Sequence, residues 1–434
     1  MKIRILLSLV LACSINYGQA QSWQPVGSGM SNTVRAFAVY NTELYVAGSF
    51  LTADGSTVNL IAKLSGNTWL PLGGGVDNHI HALAVFNGDL YAAGWFMNAG
   101  GSPANRIARW NGTTWSAIGT GLSSNAYALA VYNGALYVGG SFLTAGGVSA
   151  SRIAKWDGTI WSALGNGIAG VASTVFSLQV YNGDLYVGGA FTQAEGNASD
   201  YIVKYTGGSG WSAVGVGTDD NVEAMAVFNS ELYVGGGYTT AGGMPAANIS
   251  KWNGTTWSTV GSGFNSSVRA LTVYNAQLYA GGYFTTADGN IANNVAKWNG
   301  TQWSAVGAGM NSYVSALASF NSELFAGGDF STAGGNAAIR IAKWTTSTGI
   351  EERTENEIVN IFPNPGTGVF SVRLDKFSEA SKLDVYNSLG EIIYVGMLTS
   401  DQTQIDLAKA SAGIYYYRVS TDSETIGQGK FIVH

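Results

Sequence analysis

Cysteine is almost missing from this chain: of 434 residues only Cys13 is one, and histidine (3) and proline (6) are scarce too. A lone thiol forms no intramolecular disulfide and no thiolate cluster for zinc. Charged residues make up 11%, with 21 basic against 27 acidic side chains and a formal charge of −6. A mildly acidic chain lacks the field that gathers a polyanion, so nucleic acid is not an expected partner. No segment beyond the first twenty residues approaches the ~20 apolar residues of a membrane-spanning helix.

What the chain has in quantity is glycine (60) and aromatic side chains (12%). That composition fits many short strands joined by tight turns. At the N-terminus, Lys2 and Arg4 precede an apolar run from Ile5 to Ile15, and Gly18-Gln19-Ala20 has the small-x-small pattern of a cleavage site. This predicts a secretory signal peptide over residues 1–20 and a mature chain starting near Gln21. Losing Lys2 and Arg4 takes the formal charge from −6 to −8. Val10-Leu11-Ala12-Cys13 loosely resembles a lipoprotein box, which is the alternative reading of the same segment. On the signal-peptidase reading the mature chain has no cysteine, and thiol nucleophiles are excluded as well.

The chain repeats. Trp23, Trp69, Trp115, Trp161, Trp211, Trp257 and Trp303 are spaced by 46 residues, with one interval of 50. Leu64, Trp110, Trp156, Tyr205, Trp252, Trp298 and Trp344 follow the same period. Within each unit four apolar runs, a to d, alternate with turn signals such as Asn87-Gly88, Asn133-Gly134 and Asn182-Gly183 between a and b. Asn111-Gly112, Asp157-Gly158, Asn253-Gly254 and Asn299-Gly300 lie between c and d. Such dipeptides favour hairpin turns because both central residues adopt positive φ. A four-stranded sheet with two apolar faces must stack on copies of itself, and radial stacking predicts an all-β, seven-bladed β-propeller over 21–344. The chain opens with strand d alone (Trp23 to Val26) and the last unit stops after strand c at Trp344. The N-terminal strand is therefore expected to complete the seventh blade. The repeated signature, as in LYVGGSFLTAGG, resembles kelch-like and galactose-oxidase-like propellers and the repeats of Rax2-type fungal cortical markers.

Residues 345–357 are polar and charged, a predicted linker. From 358 to 434 the pattern is strand-like without the repeat, which predicts a small C-terminal β-sandwich. NIFPNP from Asn360 to Pro365, with Pro363, Asn364 and Pro365, is followed by LDVYNSLGEIIY around Gly390. Gly413, Tyr415 and a basic residue, Lys430, complete the set. Together these resemble the C-terminal sorting domain of the type IX secretion system of Bacteroidetes. The resemblance implies export to the cell surface, with the secretion machinery and its sortase as partners.

Comparing the units with one another locates a candidate site. In strand a an alanine recurs at 36, 82, 128, 224, 270 and 316, with Ser177 in the fourth unit. One residue earlier stand Arg35, His81, Tyr127, Phe176, Glu223, Arg269 and Ser315, which share no chemistry. The tight a–b and c–d turns share one face of the disc, so the longer d–a and b–c connections, GIAGVAST included, share the other, where variable loops on a rigid scaffold carry function. Seven propeller basic residues (Lys63, Arg109, Lys155, Lys204, Lys251, Lys297, Lys343) occupy one strand-c position and read as solvated scaffold. The other five, Arg35, Arg106, Arg152, Arg269 and Arg340, map to the loop side. Trp95 and Tyr283 occupy a strand-b position held elsewhere by Ser49, Ser141, Ala190, Gly237 and Asp329. The expected site is the channel mouth, with Arg269, Arg35 and His81 as a cationic arc and Tyr127, Phe176 and Trp95 for stacking. Asp219, Asp220 and Glu223 share the face.

Catalytic signatures are missing. Copper chemistry of the galactose-oxidase type needs a cysteine-linked tyrosine. His79 and His81 face one side of a strand, but no third propeller histidine completes a zinc site. The turn from Asp157 to Trp161 resembles a sialidase aspartate box that is one residue short, and seven units conflict with a six-bladed sialidase ring. The expectation is a cofactor-free, non-enzymatic binding protein, adhesin-like, for a surface polysaccharide or protein. A glycan-active hydrolase or lyase is the alternative.

Overall fold

A computed structural model describes residues 21–170, 173–207, 210–346, 359–374, 380–387, 390–421 and 425–434. The expected signal peptide with Cys13, and all but the first two residues of the expected linker, lie outside the described residues, as do two residues of GIAGVAST. No helix among the described residues is long and apolar enough to cross a membrane. The chain divides into two compact units, before and after Thr346.

The first unit consists of four-stranded antiparallel sheets, seven among the described residues. In the first, strand a (Val34–Tyr40), b (Glu43–Gly48), c (Ile61–Ser65) and d (Thr68–Pro71) follow one another in space as in sequence. The a–b turns behave as the dipeptides predict: Asn133 and Gly134 have φ of 46° and 72°, the pair of positive values a two-residue hairpin requires. The c–d turns differ from expectation. Gly112 alone has positive φ there, and the Asn111 carboxamide oxygen accepts the Thr113 and Thr114 amides at 2.9 Å. Asp157 does the same for Thr159 and Ile160, so this residue holds its own loop. Each b–c connection carries a further two-stranded hairpin, such as Thr52–Ala53 with Ser56–Thr57, where the strand-turn pattern predicts a longer loop.

The sheets stack around an axis. Strand a of each neighbours strand a of the next, and Val314–Phe320 of the last meets Val34–Tyr40 of the first. The approach is close: a Cβ on Gly139 would lie 2.3 Å from Val175 Cγ1 of the following blade, and one on Gly327 2.3 Å from Val34 Cγ1 across the closure. Strand-d tryptophans clamp neighbours, since Trp115 Nε1 donates to the Leu72 carbonyl (2.9 Å), Trp257 to Val214 (2.9 Å) and Trp23 to Val306 (2.8 Å). The last blade is completed from the N-terminus: Gln21–Pro25 pairs antiparallel with Ile341–Thr346, Trp23 opposite Trp344.

The repeated strand-c cations are not merely solvated. Lys63 bridges Glu43 (2.8 Å), Lys204 Asp184 (2.9 Å), Lys251 Glu231 (2.7 Å), Lys343 Glu323 (2.9 Å) and Arg109 approaches Asp89 (3.5 Å). Partly exposed pairs of this kind contribute little stability each.

One blade carries a paired exception in its core. Phe50, Phe96, Phe142, Phe191, Phe284 and Phe330 recur at a buried position that the fifth blade fills with Tyr238, and there Ser250 replaces the strand-c alanine or valine. The Tyr238 hydroxyl lies 2.7 Å from Ser250 Oγ and donates to the Val234 carbonyl. Tyr238→Phe should destabilise by about 1–3 kcal/mol, because it strands a buried hydroxyl. Adding Ser250→Ala should restore most of that, and a double-mutant cycle in urea melts would read a coupling of about 1 kcal/mol. Additive single effects would contradict the pairing.

The second unit is a β-sandwich. Val359–Phe362, Val369–Leu374 and Gln402–Asp406 form one sheet. Ser381–Tyr386, Ile392–Leu398, Gly413–Ser420 and Thr425–Val433 form the other. Between them Phe370, Leu383, Val385, Val419 and Phe431 are buried. The sorting-motif residues clasp its ends. Asn364, between Pro363 and Pro365, accepts the Ile432 amide (3.0 Å), and the Tyr415 hydroxyl reaches the Ser411 carbonyl (2.7 Å). Gly390, at φ 81°, closes a turn onto Asn387. Gly413 starts the strand that pairs with the last one, placing Tyr416 opposite Lys430.

Candidate functional site

In every blade the pairing of strands a and b slips by one residue at one place: between Val34 and Ala36, Ile80 and Ala82, Ala126 and Ala128, Val175 and Ser177, Val222 and Ala224, Val268 and Ala270, Val314 and Ala316. The skipped residues are Arg35, His81, Tyr127, Phe176, Glu223, Arg269 and Ser315. A bulge residue has no partner across the ladder and its side chain is re-aimed out of the sheet's alternation. A position that varies chemically from blade to blade is thus one that the backbone releases.

Neighbouring blades bring these side chains together. Ring centroids lie 5.0 Å apart for His81 and Tyr127, 5.5 Å for Tyr127 and Phe176, and 5.1 Å for His81 and Trp95. His79 adds a further ring, 5.3 Å from Trp95. Blades two to four therefore present one contiguous aromatic cluster. Across the ring, Arg269 Nε approaches Glu223 Oε2 at 2.9 Å, off the axis of a hydrogen bond, and its guanidinium lies 5.0 Å from the Tyr283 ring centre. Tyr283 stacks on Tyr313 at 4.4 Å. Ser315 Oγ donates to the Val34 carbonyl, 2.6 Å, joining the last blade to the first.

The expected cationic arc does not form. Arg269 is neutralised by Glu223, and burial, helped by the charges of Arg35 and His79, pushes His81 down to about 3, so the imidazole is neutral. Burial and Arg35 lower His79 in the same direction. Glu223 is raised by burial, against the pull of Arg269. Arg35, by contrast, meets no carboxylate among the described residues: its Nε donates to Ser49 Oγ (3.0 Å).

Three loop-side arginines are scaffold. Arg106 and Arg152 reach carbonyls of the next blade, Leu122 (3.3 Å) and Ser173 (3.3 Å), and Arg340 meets Asp329 (3.1 Å). Asp219 holds the Thr239 and Thr240 amides at 2.8 Å. Among the described residues no group of three or more His, Cys, Asp or Glu side chains is placed to hold a metal ion. Sequence comparison of the units overlooked Tyr313. It stands two residues before a bulge, in a series with Thr33, His79 and Asn125 that varies as freely as the bulge series, so the same comparison contained it.

Residues 360–434 match the family model described as a secretion system C-terminal sorting domain. Residues 87–112 match a β-propeller model described as a domain of unknown function, DUF5122. Similar solved structures include the extracellular domain of the one-component system BT4673 of B. thetaiotaomicron, 12% identical, TM-score 0.48, over 96% of this chain and 59% of that one. PorZ, a surface component of the type IX secretion system of Porphyromonas gingivalis, is 14% identical, TM-score 0.45, over 94% of this chain and 60% of that one. The WD40 β-propeller domain of Doa1 is 11% identical, TM-score 0.48, over 75% of this chain and 98% of that one. The chain thus spans about 59% of the length of the first of these. No curated protein sequence matches it. The sorting domain marks the protein for type IX secretion, to the cell surface or the extracellular space.

Proposed function

We propose that the exported propeller is an adhesin-like binding protein that holds a surface polysaccharide or protein at the loop-bearing mouth of its channel without transforming it. The observation that carries this is the set of bulges: a scaffold repeated blade after blade frees one side chain per blade, and those of three successive blades build a continuous aromatic surface. Aromatic faces bind sugar rings and apolar side chains with little loss of conformational entropy. The sorting domain engages the secretion machinery and its sortase, which removes it. Kelch-like or Rax2-like character of the repeats bears on fold alone.

The test is retention of the purified full-length protein on an array of glycans and surface proteins, with Trp95→Ala/Tyr127→Ala alongside. Retention should weaken by at least ~30-fold in the double variant, the loss of about 2 kcal/mol expected for a pair of aromatic anchors. One observation favours a second reading, hydrolysis: Glu223 is a largely buried carboxyl that burial pushes up, against the pull of Arg269, in the direction a general acid is tuned. Release of reducing ends from a retained glycan, abolished by Glu223→Gln, would replace binding by hydrolysis.

A further inference from the structure

We infer that the mouth takes the acidic end of a glycan, with sugar rings on two aromatic platforms and a uronate carboxylate on Arg35 between them. This rests on the reading of the mouth as a ligand site and names its ligand class.

The arrangement follows the order of the blades. Tyr283 of blade six stacks on Tyr313 of blade seven, and Tyr283 keeps 42% of its surface exposed. Blade one contributes Arg35. Blades two to four contribute Trp95, Tyr127 and Phe176. A cation therefore stands between two ring platforms around a closed circle of blades. The charge of Arg35 reaches both His79 and His81, which places it beside the larger platform.

Arg35 is also the arginine left over. Arg269 is used by Glu223, Arg340 by Asp329, and Arg106 and Arg152 by carbonyls of adjacent blades. Among the described residues the terminal nitrogens of Arg35 have no protein partner; only its Nε is engaged, by Ser49. A guanidinium with both terminal nitrogens open suits bidentate capture of a carboxylate. Several carboxylates of the same face are occupied: Glu223 and Asp329 by arginines, Asp77 by the Met97 and Asn98 amides, Asp219 by those of Thr239 and Thr240.

The ring platforms suit sugar rings, whose apolar faces stack on aromatic ones. A uronic acid adds the anion that Arg35 lacks.

The experiment is calorimetric titration of the full-length protein at pH 7 with trigalacturonate, its methyl ester and maltotriose. Trigalacturonate should bind at least ~10-fold tighter than the ester, about 1.4 kcal/mol. Arg35→Gln should erase that difference by weakening the acid alone, Arg35→Lys should keep part of it, and Trp95→Ala should weaken both sugars. Equal affinity for acid and ester, an Arg35→Gln variant that binds trigalacturonate as the wild type does, or no binding of any of the three sugars would overturn the inference. Array retention that still depends on Trp95 and Tyr127 would then leave the mouth a ligand site of another class. Retention indifferent to those two residues would sink the site itself.

Discussion

Removal of residues 21–25 is expected to lower the melting temperature of the first unit by about 10 °C or more, or to abolish its cooperative transition. These five residues form the outer strand of the last blade and pair residue for residue with the five from Ala342 to Thr346. They also carry Trp23, which is 1% exposed and donates to the Val306 carbonyl of the preceding blade. Truncating a buried tryptophan alone costs about 3–5 kcal/mol, against a total stability of roughly 5–15 kcal/mol for a typical domain. A ring has no free end to spare, because every blade relies on two neighbours. Trp23→Ala in the full-length chain should give an intermediate loss in calorimetric melts. A deletion variant melting within about 2 °C of the wild type would show that the ring does not depend on its N-terminal strand.

Acidification from pH 6.5 towards 3 should destabilise the wild type more than a His81→Phe variant, with the difference on the order of a few kcal/mol at the acid end. His81 is held near 3 in the fold, against an ordinary value of 6.5, mainly by burial and then by Arg35 and His79. Between those values the unfolded chain binds a proton that the folded one refuses, so stability must fall as pH falls. Above 6.5 the two proteins should differ by a constant. His79 acts with the same sign, whereas Glu223, raised by burial, opposes it. Comparing the two proteins cancels both. Phenylalanine keeps a ring against Tyr127 and Trp95 while removing the titrating nitrogens. Parallel stability curves from urea melts between pH 3.5 and 7.5 would mean that His81 is not buried as a neutral imidazole.

Much of the fold was written in the sequence because each blade restates the same physical problem. The tryptophan period and the Asn-Gly pairs specify strands and their reversals, and the unmatched first strand specifies how the ring closes. The chemistry of the mouth was legible only as a list of names. Arg35, His81, Tyr127, Phe176, Glu223 and Arg269 stood out because they vary among units, but a bulge has no composition of its own. Nothing local announces that the ladder skips those residues. Whether a named cation remains a cation was likewise out of reach. Arg269 loses its free charge to Glu223, which lies in another blade, and His81 loses its proton to burial that only the assembled ring creates. The c–d turns depart from expectation for a different reason. Asparagine and aspartate can reverse a chain through positive φ or through a side chain that accepts local amides, and Asn111 and Asp157 take the second course. The b–c hairpins carry their own signal, Asp54-Gly55 among others, inside the longer connection.

The central claim is that the bulge-bearing mouth is where this exported propeller meets its ligand. Amide hydrogen exchange on the full-length protein, with and without an array member it retains, tests that most directly. Protection should concentrate on segments 33–35, 79–81, 95–97, 125–127 and 174–176, leaving the a–b and c–d turns of the opposite face unchanged. Protection confined to those turns, or to residues 359–434, would contradict it.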